Sequence, residues 1–132
     1  MILNSDNCLL LLVDIQEKLL EKIYDNISLI ENTRKVLFFF NKLRLPVIIS
    51  EQYPQGLGQT SDEILNNDLF QKKDTLFYSL FEKTSFSCFA DYAIKSKIKK
   101  SKKKQVVICG IETHICILQT VSDLLTDDFS VF

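Results

Sequence analysis

The chain is poor in the residues that make tight turns and metal sites. Its 132 residues include three glycines, two prolines and one histidine. At about 2% glycine, against roughly 7% in ordinary globular chains, most connections must manage without a residue that tolerates positive φ. The few glycines therefore carry information. One histidine beside four cysteines, none in C-x-x-C spacing, argues against a structural zinc site. Cys8, Cys88, Cys109 and Cys116, with no export signal expected, do not read as a disulfide scaffold, and thiol chemistry stays open. The longest apolar stretch near the start, residues 8–13, is too short for a membrane span or a signal-peptide core. With 16 Lys plus Arg against 17 Asp plus Glu, the net charge is -1, so there is no global basic excess to drive nucleic-acid or anionic-membrane binding. A cytoplasmic protein without membrane or nucleic-acid partners is expected.

What is present is 46% hydrophobic, 11% aromatic and 25% charged content, the balance of one globular domain over residues 1–132. Residues 9–13 (L-L-L-L-V) form a continuous apolar run ending at Asp14, the pattern of a strand buried on both faces. From 16 to 43, Leu19, Leu20, Ile23, Ile27, Ile30, Leu37 and Phe40 recur at helical steps, predicting helix in two pieces that stops before Pro46. Residues 47–50 (V-I-I-S) supply a second strand, so the segment is a right-handed βαβ unit. The loop 51–60 holds one proline and two glycines and follows a strand's carboxyl end, where open α/β sheets bind ligands. A short helix is expected over 62–70; 76–81 reads as either a third strand or a buried loop; 88–98 is weakly helical. Residues 105–109 (Q-V-V-I-C) are the clearest strand, and a helix is expected from near Thr113. Residues 127–132 read as a turn and the first residues of a strand. Strands alternating with helices imply a layered α/β sheet.

Three polar residues fall where such a sheet presents chemistry. Asp14 closes the first strand, Lys83 follows the apolar segment near residue 80, and Cys116 lies in the first turn of the last helix. A thiol at a helix N-terminus, near an ammonium, is expected to have its pKa lowered, while a carboxylate accepts its proton and returns it to a leaving group. Each residue also has a plain structural reading: a packed cysteine, a helix-capping aspartate, a solvated lysine.

The strings around all three resolve this. L-L-V-D-I-Q (11–16), E-Q-Y-P-Q-G-L-G (51–58), E-K-T-S-F-S (82–87) and G-I-E-T-H-I-C-I-L-Q-T (110–120) occur in the order and approximate spacing of the isochorismatase-like cysteine hydrolase superfamily, and the chain most resembles its isochorismatase domain-containing branch. The resemblance runs from about residue 6 to the last residue. It implies a three-layer Rossmann-like parallel sheet with helices on both faces, and Asp14, Lys83 and Cys116 as a catalytic triad. It further implies a cis peptide between Ile111 and Glu112, with the amides of Glu112 and Cys116 as an oxyanion hole. Gln16, Tyr53, Phe86 and His114 are its substrate-side candidates.

The implied chemistry is hydrolysis of an amide-like C–N bond in a small molecule through a thioester on Cys116. Isochorismatase proper, which cleaves a vinyl ether, lacks the cysteine. Nicotinamidase-type relatives bind a metal through Asp and His residues after the second strand; residues 50–58 hold no histidine, so neither a metal nor another cofactor is expected. A homo-oligomer is expected. A non-enzymatic interaction or oligomerisation module that retains the site is the alternative. Family members continue past the strand near Phe129, so a chain truncated at its C-terminus, lacking the last strand and helix, is also expected. The seven lysines within residues 95–104 read as a solvated connection, a polyanion patch being the lesser alternative.

Overall fold

The computed structural model describes residues 1–65 and 77–132. Five strands, β1 (Cys8–Val13), β2 (Val47–Gln52), β3 (Ser79–Lys83), β4 (Gln105–Gly110) and β5 (Ser130–Val131), form one parallel sheet in the order β3-β2-β1-β4-β5. The chain first builds outward from β1 to β3, then returns to pair β4 with β1. The order therefore reverses between β1 and β4, and at such a point the carboxyl ends of the strands open a crevice.

β1 is buried along its whole length, as the unbroken apolar run predicts. Its pleat divides the core. Leu10 and Leu12, with Val47 and Ile49, pack against Ile30, Leu37 and Phe40 of α2 (Asn26–Lys42). Leu9, Leu11 and Val13, with Ile48, face the other way. There they meet Ile94 and Ile98 of α5 (Tyr92–Lys100) and Leu124 of α6 (Leu118–Thr126). Helices thus cover both faces, giving the three layers that the resemblance implies.

The first helical stretch does divide, into α1 (Glu17–Leu20) and α2, whose N-cap Asp25 accepts a hydrogen bond from the Ser28 amide at 3.3 Å. The loop after β2 contains a single turn, α3 (Pro54–Leu57), and leads to α4 (Asp62–Leu65); the remainder of the helix expected to residue 70 lies outside the described residues. The ambiguous aromatic segment is strand over Ser79–Lys83, with Leu76 outside the described residues. Its side chains alternate between half-buried and exposed until Lys83, because among the described residues β3 pairs with β2 alone, and an edge strand presents a weak apolar signal.

α5 begins later than the sequence pattern, at the Asp91 cap, which accepts from the amides of Ala93 (2.9 Å) and Ile94 (3.0 Å). It carries four of the seven lysines of the run. Lys95 and Lys99 lie over the Phe89 ring and Lys104 over the Phe129 ring, Lys99 pairs with Asp127 at 3.0 Å, and Lys103 donates to the Asp6 carbonyl at 2.8 Å. Four of the seven lysines are thus engaged with the protein's own surface. Among the described residues no helix is long and apolar enough to cross a membrane.

Candidate active site

Asp14 is the residue at which β1 ends. Its φ of 54° is left-handed, a region aspartate tolerates better than most residues, and its amide is held by the Ser50 carbonyl at 3.1 Å. Lys83 is the last residue of β3, two strands away. Cys116 lies in a π-helical turn, Thr113–Ile117, that connects β4 to α6. The sequence pattern places this cysteine in the first turn of an ordinary helix; the wider turn instead precedes α6, which starts at Leu118.

These three side chains meet. Lys83 Nζ lies 2.8 Å from Asp14 Oδ2 and 3.7 Å from Cys116 Sγ. Asp14 is 0%, Lys83 3% and Cys116 7% exposed, so bulk water screens little of their mutual field. Lys83 Nζ also reaches Gln52 Oε1 (2.6 Å) and the carbonyls of Ser85 and Phe86 (each 3.1 Å). More acceptors surround the ammonium than it has protons, so its position is fixed from several sides.

The electrostatics reverse one expectation. Burial and the Asp14 charge, opposed by Lys83, push the Cys116 thiol up to about 11. The turn and the lysine do not keep it low, and the resting sulfur carries its proton. Asp14 favours that protonated form, and both groups lie against the same Lys83 ammonium.

The neighbouring backbone is shaped by the third glycine. Gly110 ends β4 at φ 152°, where an added Cβ would collide with the Val13 carbonyl and stand 2.7 Å from Val13 Cβ. Only glycine lets β4 approach β1 this closely. The next peptide, Ile111–Glu112, is cis, and the Glu112 carbonyl accepts from the amides of Ile115 (3.1 Å) and Ile117 (3.2 Å).

The substrate-side candidates separate. Tyr53 and Phe86 have exposed rings and backbone ties to Lys83: the Tyr53 amide donates to the Lys83 carbonyl at 3.0 Å, and the Phe86 carbonyl accepts from Nζ. His114 is exposed, its Nε2 3.5 Å from Glu112 Oε2. Gln16 is fully buried and its amide is already committed. Nε2 donates to the carbonyls of Gln52 (3.0 Å) and Gly58 (2.6 Å), while Oε1 accepts from the Gln52 amide at 2.7 Å. These bonds clamp β2 to the following loop.

Sequence reasoning missed Ser50, Gln52 and Cys88. Ser50 Oγ donates to Asp14 Oδ1 at 2.7 Å, Gln52 holds Lys83, and Cys88 Sγ donates to Ser50 Oγ at 3.3 Å. One signal was available: Ser50 ends the apolar β2 run as Asp14 ends that of β1. A separate cleft of about 400 Å³, lined by residues including Glu17, Glu21, Glu31 and Arg34, contains none of the three meeting residues. Among the described residues, no group of three or more His, Cys, Asp or Glu side chains is placed to hold a metal ion.

A parallel α/β sheet with a buried Asp-Lys-Cys cluster at its switch point defines the class of fold and site. The chain belongs to the isochorismatase family, whose domain model matches residues 8–132. It is 36% identical over 129 residues to isochorismatase domain-containing protein 2 of Xenopus laevis, covering 98% of this chain and 58% of the relative. Among solved structures it resembles the MAR1 ribonuclease of Caenorhabditis elegans, with TM-score 0.84 and 32% identity over 98% of this chain and 62% of that one. The fold is also that of the YcaC gene product of Escherichia coli, described as an octameric hydrolase of unknown specificity (TM-score 0.80, 22% identity, 98% of this chain and 62% of that one). The chain spans about three fifths of the length of the curated relatives it matches.

Proposed function

We propose that the chain is a cysteine hydrolase of the isochorismatase family, cleaving an amide-like C–N bond of a small molecule. The observation that carries this reading is the Lys83 ammonium, 2.8 Å from Asp14 Oδ2 and 3.7 Å from Cys116 Sγ, in a site almost closed to water.

A thiol that rests protonated needs a base at the moment of attack. Asp14 accepts the Cys116 proton as sulfur bonds to the substrate carbonyl carbon. Lys83 stabilises the charge transferred between them, and the amides of Glu112 and Cys116 face the developing oxyanion. The C–N bond then breaks, and Asp14 returns the proton to the departing amine. Water attacks the thioester, releasing a carboxylic acid and restoring the Cys116 thiol. Tyr53 and Phe86 bound the substrate from opposite backbone neighbours of Lys83.

Four free cysteines support a reducing, cytoplasmic setting. The octameric relative and the exposed Leu118 and Leu125 of α6 support a homo-oligomer; light scattering that returned a monomer would refute that part. The activity is tested on an amide panel, with RNA added because of the nematode relative. Turnover of an amide with an acyl adduct on Cys116, lost in Cys116→Ala, is expected. No adduct, with turnover unchanged in Cys116→Ala, overturns the reading.

A further inference from the structure

Asp14 has two oxygens, and the chemistry above accounts for the surroundings of one. Oδ2 receives the Lys83 ammonium, whereas Oδ1 receives the Ser50 hydroxyl at 2.7 Å. Ser50 is fully buried within β2, two residues beyond Ile48, and so faces the α5 and α6 side of the sheet where Cys116 lies. Behind it, Cys88 Sγ lies 3.3 Å from Ser50 Oγ.

The direction of this chain follows from proton counting. A serine hydroxyl has one proton to give, and an ionised carboxylate has none. The Ser50 proton therefore points at Asp14, leaving its oxygen as acceptor for the Cys88 thiol. Cys88 keeps that proton because burial pushes its thiol up to about 11. Cys88 is itself held in register: its amide donates to Thr120 Oγ1 on α6 at 2.9 Å, and the adjacent Ser87 hydroxyl donates to Asp123 Oδ2 at 2.6 Å.

We infer that Ser50, kept as a one-way donor by Cys88, is a positioning residue that fixes the Asp14 carboxylate for proton transfer from Cys116. Cys88 in this arrangement donates to Ser50 and is not a second nucleophile. The inference rests on the reading of Asp14 as the base for Cys116. A carboxylate bound through one oxygen can turn about its Cα–Cβ and Cβ–Cγ bonds; one bound through both oxygens presents a fixed plane. The titratable groups facing Asp14 are Lys83 from β3, Cys116 from the turn after β4 and Cys88 from the segment before α5. Ser50 adds a hydroxyl contact from β2.

The test is alkylation of Cys116 by iodoacetamide in the intact chain, followed by peptide mass spectrometry from neutral pH upward. In that reaction the thiol proton passes to Asp14, the S–C bond forms and iodide leaves. Ser50→Ala is expected to slow labelling at neutral pH by about tenfold, a modest share of what a positioned base contributes. Ser50→Thr restores it. Cys88→Ala slows labelling in the same direction, and Cys88→Ser restores it, which keeps the comparison available if Ser50→Ala does not fold. The gap closes as pH approaches about 11, where Cys116 ionises without help. A purely structural loss would slow labelling at every pH. Wild-type labelling by Ser50→Ala, where the wild type shows a base-assisted plateau at neutral pH, overturns the inference alone; so does a deficit independent of pH. A wild-type labelling rate that simply follows Cys116 ionisation, with no such plateau, overturns the underlying reading and the inference with it.

Discussion

Lys83 and Asp14 form an ion pair that solvent does not reach: Nζ to Oδ2 is 2.8 Å, with side-chain exposures of 0% and 1%. Such a pair adds little net stability, because each charge lost its hydration on burial. Breaking it from one side is another matter.

Lys83→Met is expected to destabilise the fold by about 3–5 kcal/mol, since it leaves the Asp14 carboxylate buried beside an apolar chain. Asp14→Asn combined with Lys83→Met should recover much of that loss. Urea denaturation of the two single variants and the double variant measures the coupling, and additive losses would contradict it.

The Cys88 thiol gives a stability dependence on pH. Its folded value, pushed up to about 11, lies above the ordinary 9.0. The unfolded chain therefore loses this proton first as pH rises, and the contribution, fully present below 9, fades between 9 and 11. Cys88→Ser removes the titration while keeping a donor to Ser50. Its unfolding free energy should fall less steeply over that interval, by about 2 kcal/mol relative to wild type. Parallel curves would refute the assignment.

Two glycines should respond unequally to alanine. At Gly110 the new methyl meets the backbone of Val13, which cannot withdraw without separating β4 from β1, so a loss of about 3 kcal/mol is expected. At Gly56 the obstacle is the ring of Tyr53, 55% exposed and free to swing. Gly56→Ala should cost under about 1 kcal/mol. Thermal melts decide between these outcomes, and equal losses would mean that the strand contact is not the cause.

Gln16→Ala should loosen the loop that follows β2. It frees the Gln52 amide and the Gly58 carbonyl, for about 2 kcal/mol of lost stability. Limited proteolysis should cut residues 53–60 faster than in wild type. An unchanged cleavage rate would mean that Gln16 does not hold this loop.

Where sequence and structure agree, the physical cause is burial on two faces. β1 and β2 read as strands because a central parallel strand is apolar nearly throughout, while β4 keeps the apolar run although its last four residues are only half-buried, and Asp14 stands out as the polar residue where the β1 run ends. β3 was ambiguous because its edge position needs only alternate side chains to be apolar. The meeting of Asp14, Lys83 and Cys116 followed from short strings, not from periodicity. The Ser50–Cys88 chain could not be read: a serine within one strand and a cysteine in an irregular segment become partners only when β2 and α6 are both in place. The reversed thiol ionisation has the same origin, since spacing shows a helix start but not the burial that outweighs it.

The spacing of the site residues carries a kinetic consequence. Asp14, Ser50, Lys83 and Cys116 come from successive strand units, the first two 36 positions apart in sequence and the last two 33. No pair is joined by a short loop, so each contact requires a long loop to close before it contributes anything. A partly assembled sheet, however well ordered its first βα unit, possesses none of the complete cluster. Distinctive reactivity at Cys116 should therefore arise late in refolding, after the backbone signal has largely settled, making this sulfur a chemical timer for the last docking event.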